Sequence, residues 1–149
     1  MEKVRGFEKI VPDSDVKLPV RKTAGSAGYD FYAPYDIEIP AKSLSKIIFT
    51  GVKAYMQKNE YLACHIRSGL AYKRGLMLVN AVGVIDSDYY NNPDNGGDIG
   101  IMFYNASNNS CVIKAGERIM QGIFTPYFIA DNDNASGERT GGFGSTGTR

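Results

Sequence analysis

LMLVNAVGVIDSDYY, residues 76–90, decides how the rest of the chain is read. An apolar run from Leu76 to Val79 breaks at Asn80, passes Gly83, resumes at Val84 and Ile85, and stops on Asp86, Ser87, Asp88 and Tyr89. Two β-preferring runs around a short polar break predict a hairpin or a tight strand bend. The end of the stretch carries the chemistry. A carboxylate directly after Gly-Val-Ile stands where a buried strand leaves the core, with an amide upstream and a phenol beyond, the ingredients of a small pocket. A buried strand running into a solvated Asp-Ser-Asp turn has the same sequence signature, so the surrounding chain has to separate the two readings.

Working outward, residues 4–11 (VRGFEKIV) predict an opening strand, followed by a polar loop over 12–17. Gly25 and Gly28 break the chain before Tyr29, Phe31 and Tyr32, aromatics that favour a second strand. Asp30 lies inside that strand, where a carboxylate needs partners. Residues 37–39 alternate as a short strand, 40–43 turn, and SKIIFTGVKAYM (45–56) predicts another strand pair. YLACHI (61–66) runs into Arg67-Ser68-Gly69 and then one or two helical turns. Downstream, NNPDNGGD (91–98) is a loop by composition, and IGIMFYNAS (99–107) and CVIKAGERIMQGIFTPYFIA (111–130) are closing strands with a turn at 114–117. No window holds a long 3.6-residue period. Short strands separated by Gly, Pro, Asn and Asp predict an all-β sandwich or barrel over residues 1–130. From Asp131 onward, DNDNASGERTGGFGSTGTR has little to bury and much glycine, which predicts a flexible arm over 131–149.

The 149 residues, 43% of them hydrophobic, suffice for one domain with a real core. Lys and Arg number 17 against 16 Asp and Glu, a net charge of +1, so no global field draws in nucleic acid and any polyanion must meet a local site. Cys64 and Cys111 lie far apart in strand-like runs and form no CxxC, which predicts buried free thiols in a reducing cytoplasm. No apolar run approaches the roughly 18 residues of a membrane span, and MEKVRGFEKI lacks the apolar core of a signal peptide. A cytoplasmic protein that binds neither membrane nor nucleic acid is the expectation.

Few residues are equipped for chemistry. His65 is the single histidine, and without a second His or a nearby acid it supports neither a zinc site nor a Ser-His-Asp triad. Arg67-Ser68-Gly69 offers a guanidinium, a hydroxyl and a backbone N–H, groups that hold phosphate oxygens; a serine capping the following helix fits the tripeptide equally well. In the tail, Gly141 to Gly147 supply backbone amides, the hydroxyls of Ser145 and Thr146, and one aromatic, Phe143, with Arg139 ahead of them. No lysine follows these glycines, so this is not a Walker A loop. Phe143 has no core to join and could stack on a planar ring.

AGYDF at 27–31, RSGLA at 67–71, NAVGVIDSDY at 80–89, GERIMQ at 116–121 and GGFGSTG at 141–147 resemble, in order and spacing, the five motifs of the homotrimeric dUTPase family. The resemblance runs from about residue 18 to the C-terminus. It implies a distorted jelly-roll β-barrel, a homotrimer, and hydrolysis of dUTP to dUMP and pyrophosphate with Mg²⁺. Mapped onto this sequence, the general base falls on Asp86, which activates a water for attack on the α-phosphorus, with Gln121 as a second anchor for that water. The same mapping places Ser68 near the scissile bridge, with Arg67 and Gly69 steadying the phosphate chain. Arg139, Gly144, Ser145 and Thr146 then close over the far phosphates. Mg²⁺ is held mainly by the triphosphate, with Asp30 a contact through water at most.

Base and sugar choice follow from the same resemblance. A hairpin backbone at Gly83, Val84 and Ile85, with the Asn80 amide, pairs with uracil and leaves no room for a thymine methyl group. Tyr89 packs on the deoxyribose, and Phe143 covers the base when an arm from a neighbouring subunit closes. The sequence departs from the family at three points: Tyr90 leads into an inserted NNPDNGG segment where Arg or Gln and then Gly are usual, Arg139 stands one residue nearer the phenylalanine, and Met120 replaces a small residue. A dCTP deaminase of the same fold is the enzyme alternative, but it needs a glutamate near the base, and Glu117 reads as structural. The alternative from another class is a non-catalytic nucleotide-sensing or regulator-binding module. The joint presence of Asp86, Gln121 and Ser68 speaks against it.

Overall fold

The computed structural model describes residues 1–144 and 146–148. In chain order the elements are β1 (Gly6–Lys9), β2 (Tyr29–Tyr32), β3 (Ile37–Ile39), β4 (Ile48–Phe49), β5 (Val52–Tyr55), β6 (Glu60–Ile66), α1 (Ser68–Arg74), β7 (Leu76–Leu78), β8 (Gly83–Asp86), β9 (Gly100–Ile101), β10 (Phe103–Asn105), β11 (Cys111–Ile113) and β12 (Arg118–Pro126), with a 3₁₀ turn at Ser87–Tyr89 after β8. Along the short strands, successive side chains face alternately into the core and out of it. In β3, β7 and β11 the first and third residues are buried and the middle one is exposed.

All strand pairs are antiparallel. The largest sheet runs β2-β12-β6-β8, and the pairs β1-β5, β3-β11, β4-β9 and β7-β10 close the rest of an all-β, jelly-roll-like barrel. Phe31, Leu62, Ile113, Ile119, Met120 and Phe103 fill it, each nearly or wholly inaccessible. At this degree of burial each such side chain contributes about 1.5–3 kcal/mol. Cys64 and Cys111 are buried free thiols, as expected. No helix among the described residues is long and apolar enough to cross a membrane.

Of the two readings of the 76–90 stretch, hairpin or tight bend, the structure selects the bend, since β7 pairs with β10 and β8 pairs with β6. Between them Ala81 adopts φ 60° and donates its N–H to the Leu78 carbonyl at 3.0 Å, a turn that carries the chain from one part of the barrel to another. The expected pairing within 45–56 is corrected, since β4 and β5 are not partners. Gly51, at φ 72°, turns the chain so that β4 meets β9 and β5 meets β1.

The N-terminal segment is fastened by charge. Arg5 donates from Nε to Glu60 at 3.1 Å at the start of β6, and this bond holds the Glu60 carboxyl below its ordinary 4.5 despite partial burial. Because the folded value lies below the unfolded one, the stabilisation is complete above 4.5 and is lost as pH falls through the folded value. Arg5→Ala is therefore expected to lower the melting temperature at neutral pH and to leave it near wild type in acid, where Glu60 is protonated in both proteins. Melting curves over a pH series, followed by circular dichroism, check this. An equal depression at every pH sinks it.

Candidate active site

β8 is the edge strand of the large sheet, so one row of its backbone N–H and C=O groups faces away from β6 without strand partners. Against that edge lies a cavity of about 340 Å³, within the size range of small-ligand sites. Asn80, Gly83, Val84, Ile85, Asp86 and Tyr89 line it on one side, all of them expected from the sequence. Its apolar wall includes Leu78, Ile99, Ile101 and Cys64. Gly83 is there for a reason of space: a Cβ at this position would sit 3.1 Å from Cys64 Cβ. Burial pushes the Cys64 thiol up to about 12, so it stays protonated and serves as wall, not nucleophile.

The arm closes the mouth of the same cavity. Arg139 donates to Asp86 Oδ2 through Nη2 and to Asp88 Oδ1 through Nε, each at 2.6 Å. The Asp88 bond, with the charges of both acids, raises the Arg139 guanidinium above its ordinary value. Phe143 lies edge-on to Phe49 with ring centroids 5.8 Å apart and borders the cavity together with Gly142. In this chain the arm thus covers the chain's own cavity. The Asp86 side chain remains 52% exposed, whereas Arg139 is 15% exposed and is held by Asp88 as well. Thr146 belongs to the described residues and is exposed, Gly144 likewise, and Ser145 lies outside them.

A second cluster forms around Asp30. Arg67 Nε stands 3.0 Å from Asp30 Oδ1 and Arg118 Nη1 3.1 Å from Oδ2, so both carboxylate oxygens are held. Sequence reasoning missed Arg118, because its approach depends on a register shift between β2 and β12 at Arg118 and Met120. Ser68 is exposed at the first position of α1, one residue beyond the extended cap residue Arg67; the reading of Ser68 as a helix cap is therefore corrected. Gly69 follows it, with open space around its Cα. Gln121 sits opposite both Asp30 and His65 in the sheet and packs on Gly28, where a Cβ would meet its Oε1. Glu117, the glutamate a deaminase would need, is ion-paired with Arg74 at 3.0 Å and does not line the cavity.

The two clusters do not meet within one chain. Residues directly opposite in a sheet share a face, so Asp30, Gln121, His65 and Asp86 all project to the side away from the main core. Yet Asp86 pairs with Tyr61 of β6 and Gln121 with His65, four residues further on and across two strand spacings, which sets their Cα atoms ~16 Å apart. One bound water cannot span that distance. The structure thus brings Asp86 together with Asn80, Gly83, Val84, Ile85, Tyr89, Arg139 and Phe143, and leaves Arg67, Ser68, Gly69 and Gln121 outside the cavity.

An all-β barrel with a cavity of about 340 Å³ against an edge strand, a half-exposed carboxylate lining it and a separate arginine-serine cluster defines a protein equipped to bind a small ligand. A family model described as dUTPase matches residues 14–147. The deoxyuridine 5'-triphosphate nucleotidohydrolase of Lactococcus lactis subsp. lactis (strain IL1403) is 46% identical over 149 residues, spanning 97% of this chain and 99% of that one. The enzyme of the same name from Desulfitobacterium hafniense (strain DSM 10664 / DCB-2) is 38% identical, over 91% and 90% of the two chains. Among solved structures, the crystal structure of dUTPase from Streptococcus mutans is similar with a TM-score of 0.79 and 46% identity, covering 85% of this chain and 99% of that one. The chain belongs to the dUTPase family.

Proposed function

We propose that this chain hydrolyses dUTP to dUMP and pyrophosphate, and that Asp86 is the general base. The observation that carries the mechanism is the Asp86 carboxylate, half exposed at the mouth of the cavity and held by no group buried in the core. It accepts the proton of a water that attacks the α-phosphorus in line. The oxygen bridging to the β-phosphate leaves with the pyrophosphate. The outer backbone edge at Gly83 to Ile85 and the Asn80 amide meet the polar edge of uracil, Tyr89 packs on the deoxyribose, and Phe143 covers the base.

The phosphate chain needs the second cluster, and a second copy of the chain brings it. Arg67, Ser68, Gly69 and Gln121 of a neighbouring subunit complete each site, in the homotrimer that is typical of the family. Met77 and Val112, outside the cavity, are consistent with this assembly, because they are outward-facing strand residues that stay about half exposed in the single chain. Residues 1–130 form the barrel and 131–149 the arm, which a neighbour donates in the trimer. Its Arg139, Gly144, Ser145 and Thr146 then contact the far phosphates.

Mg²⁺ fits as an ion carried by the triphosphate. Among the described residues no three acidic, histidine or cysteine side chains form a metal cage, and Asp30 has both oxygens committed to arginines, leaving it only an outer contact through water. When bound, the ion neutralises charge on the leaving pyrophosphate. Two buried free thiols fit a cytoplasmic enzyme.

Pyrophosphate release measured with dUTP, dTTP, dCTP and UTP tests the reading. Turnover of dUTP is expected to exceed the others by roughly 10²-fold or more, since the cavity rejects both added groups and unmatched hydrogen bonds. Ammonia released from dCTP overturns the substrate assignment in favour of a deaminase, and tight nucleotide binding without any pyrophosphate overturns it in favour of a sensing module.

A further inference from the structure

The inserted segment 91–98 contributes nothing to the cavity lining, yet it encloses the hydroxyl end of Tyr89. The phenol donates to the Asp98 carbonyl at 2.6 Å and accepts from Asn95 Nδ2 at 2.8 Å. Asn95 is itself fixed from both sides. Its Oδ1 accepts from Gly97 N–H at 3.0 Å and from Asn92 Nδ2 at 2.9 Å, and Asn92 also donates to the Tyr89 carbonyl at 2.8 Å. Asn92 is buried, and its Oδ1 takes the backbone N–H groups of Asp94 and Asn95 at 3.1 Å each. Gly97 adopts φ 92° and lies so close to the Tyr89 carbonyl that a Cβ would stand 2.9 Å from it, which closes the loop tightly behind the ring.

We propose that Asn95 is a positioning residue for sugar discrimination: it pins the Tyr89 phenol from behind so that the ring cannot retreat from a ribose 2′-hydroxyl. This rests on Tyr89 packing against the deoxyribose, as read above. A tyrosine that excludes a hydroxyl by contact does so only as well as it resists displacement; core packing restrains the nearly buried Tyr89 ring, and bonds to the phenol fix its far end. Two hydrogen bonds to the phenol oxygen, from a loop organised by Asn92, supply that resistance. The 91–98 segment thereby supports the phenol through side-chain amides.

The test compares kcat/KM for dUTP and UTP in wild type, Asn95→Ala, Tyr89→Phe, the double variant and Tyr89→Ala. Asn95→Ala is expected to lower the dUTP-to-UTP ratio about tenfold, the equivalent of one lost hydrogen bond, and Tyr89→Phe, which removes both bonds to the phenol, by at least as much, chiefly by improving turnover of UTP. Asn95→Ala made on Tyr89→Phe is expected to add no further loss, because the phenol through which it acts is gone. Asn95→Leu, near in size to asparagine and with neither donor nor acceptor for the phenol, carries the same comparison if the alanine variant fails to fold. An unchanged ratio in the folded Asn95 variants, with the ratio reduced in Tyr89→Ala, overturns the role of Asn95 alone. A loss from Asn95→Ala that is as large on top of Tyr89→Phe as on the wild type overturns it too. A ratio unchanged in Tyr89→Ala removes the sugar reading on which it rests.

Discussion

Asp86→Asn lowers dUTP turnover by about 10²–10⁴-fold and leaves dUTP binding in place. The substitution keeps the shape of the side chain and one oxygen that can still accept from Arg139, so neither the arm contact nor the fold is at stake. What disappears is the capacity to take a proton from water. Asp88 supplies the control. It shares Arg139 with Asp86 at the same 2.6 Å but does not line the cavity, and Asp88→Asn retains most of the turnover. Pyrophosphate release gives the rates, and titration calorimetry with dUTP gives the binding. Near wild-type turnover in Asp86→Asn removes it as the base; loss of activity in both variants assigns the effect to Arg139 and the arm.

The sequence exposed one half of the site more fully than the other. Asn80, Gly83, Asp86 and Tyr89 lie within ten consecutive residues, so a local reading of strand, break and carboxylate places them together, and the cavity gathers them as expected. The all-β class was equally legible, because short β-preferring runs separated by Gly, Pro, Asn and Asp are a local property of the sequence. Strand partners were not. Whether β7 pairs with β8 or with β10 depends on a turn with Ala81 in a left-handed conformation, which no residue type announces. The Asp30 cluster shows the same limit: Arg118 is 88 residues away and reaches the carboxylate only through the β2-β12 register. Residues 91–98 read as loop by composition, while Asn92 and Asn95 act by pointing inward, a matter of side-chain direction.

Mixing two inactive variants restores activity. In a homotrimer whose sites each take Asp86 from one subunit and Ser68 from another, proteins made wholly of Asp86→Asn or wholly of Ser68→Ala chains are crippled at every site. Refolded together in equal amounts, they form mixed trimers in which about a quarter of the sites draw an intact Asp86 from one chain and an intact Ser68 from the next, so about a quarter of wild-type turnover returns. The ground for this is the separation of the two clusters: Asp86 borders the cavity, Ser68 does not, and the strand register keeps Gln121 far from Asp86 within one chain. If a single chain supplied both groups, every mixed site would carry one defect and mixing would recover nothing. Pyrophosphate release from the refolded mixture reads the outcome, with molecular mass by light scattering to establish that three chains are present. Recovery without a trimer, or a trimer without recovery, breaks the link between assembly and site.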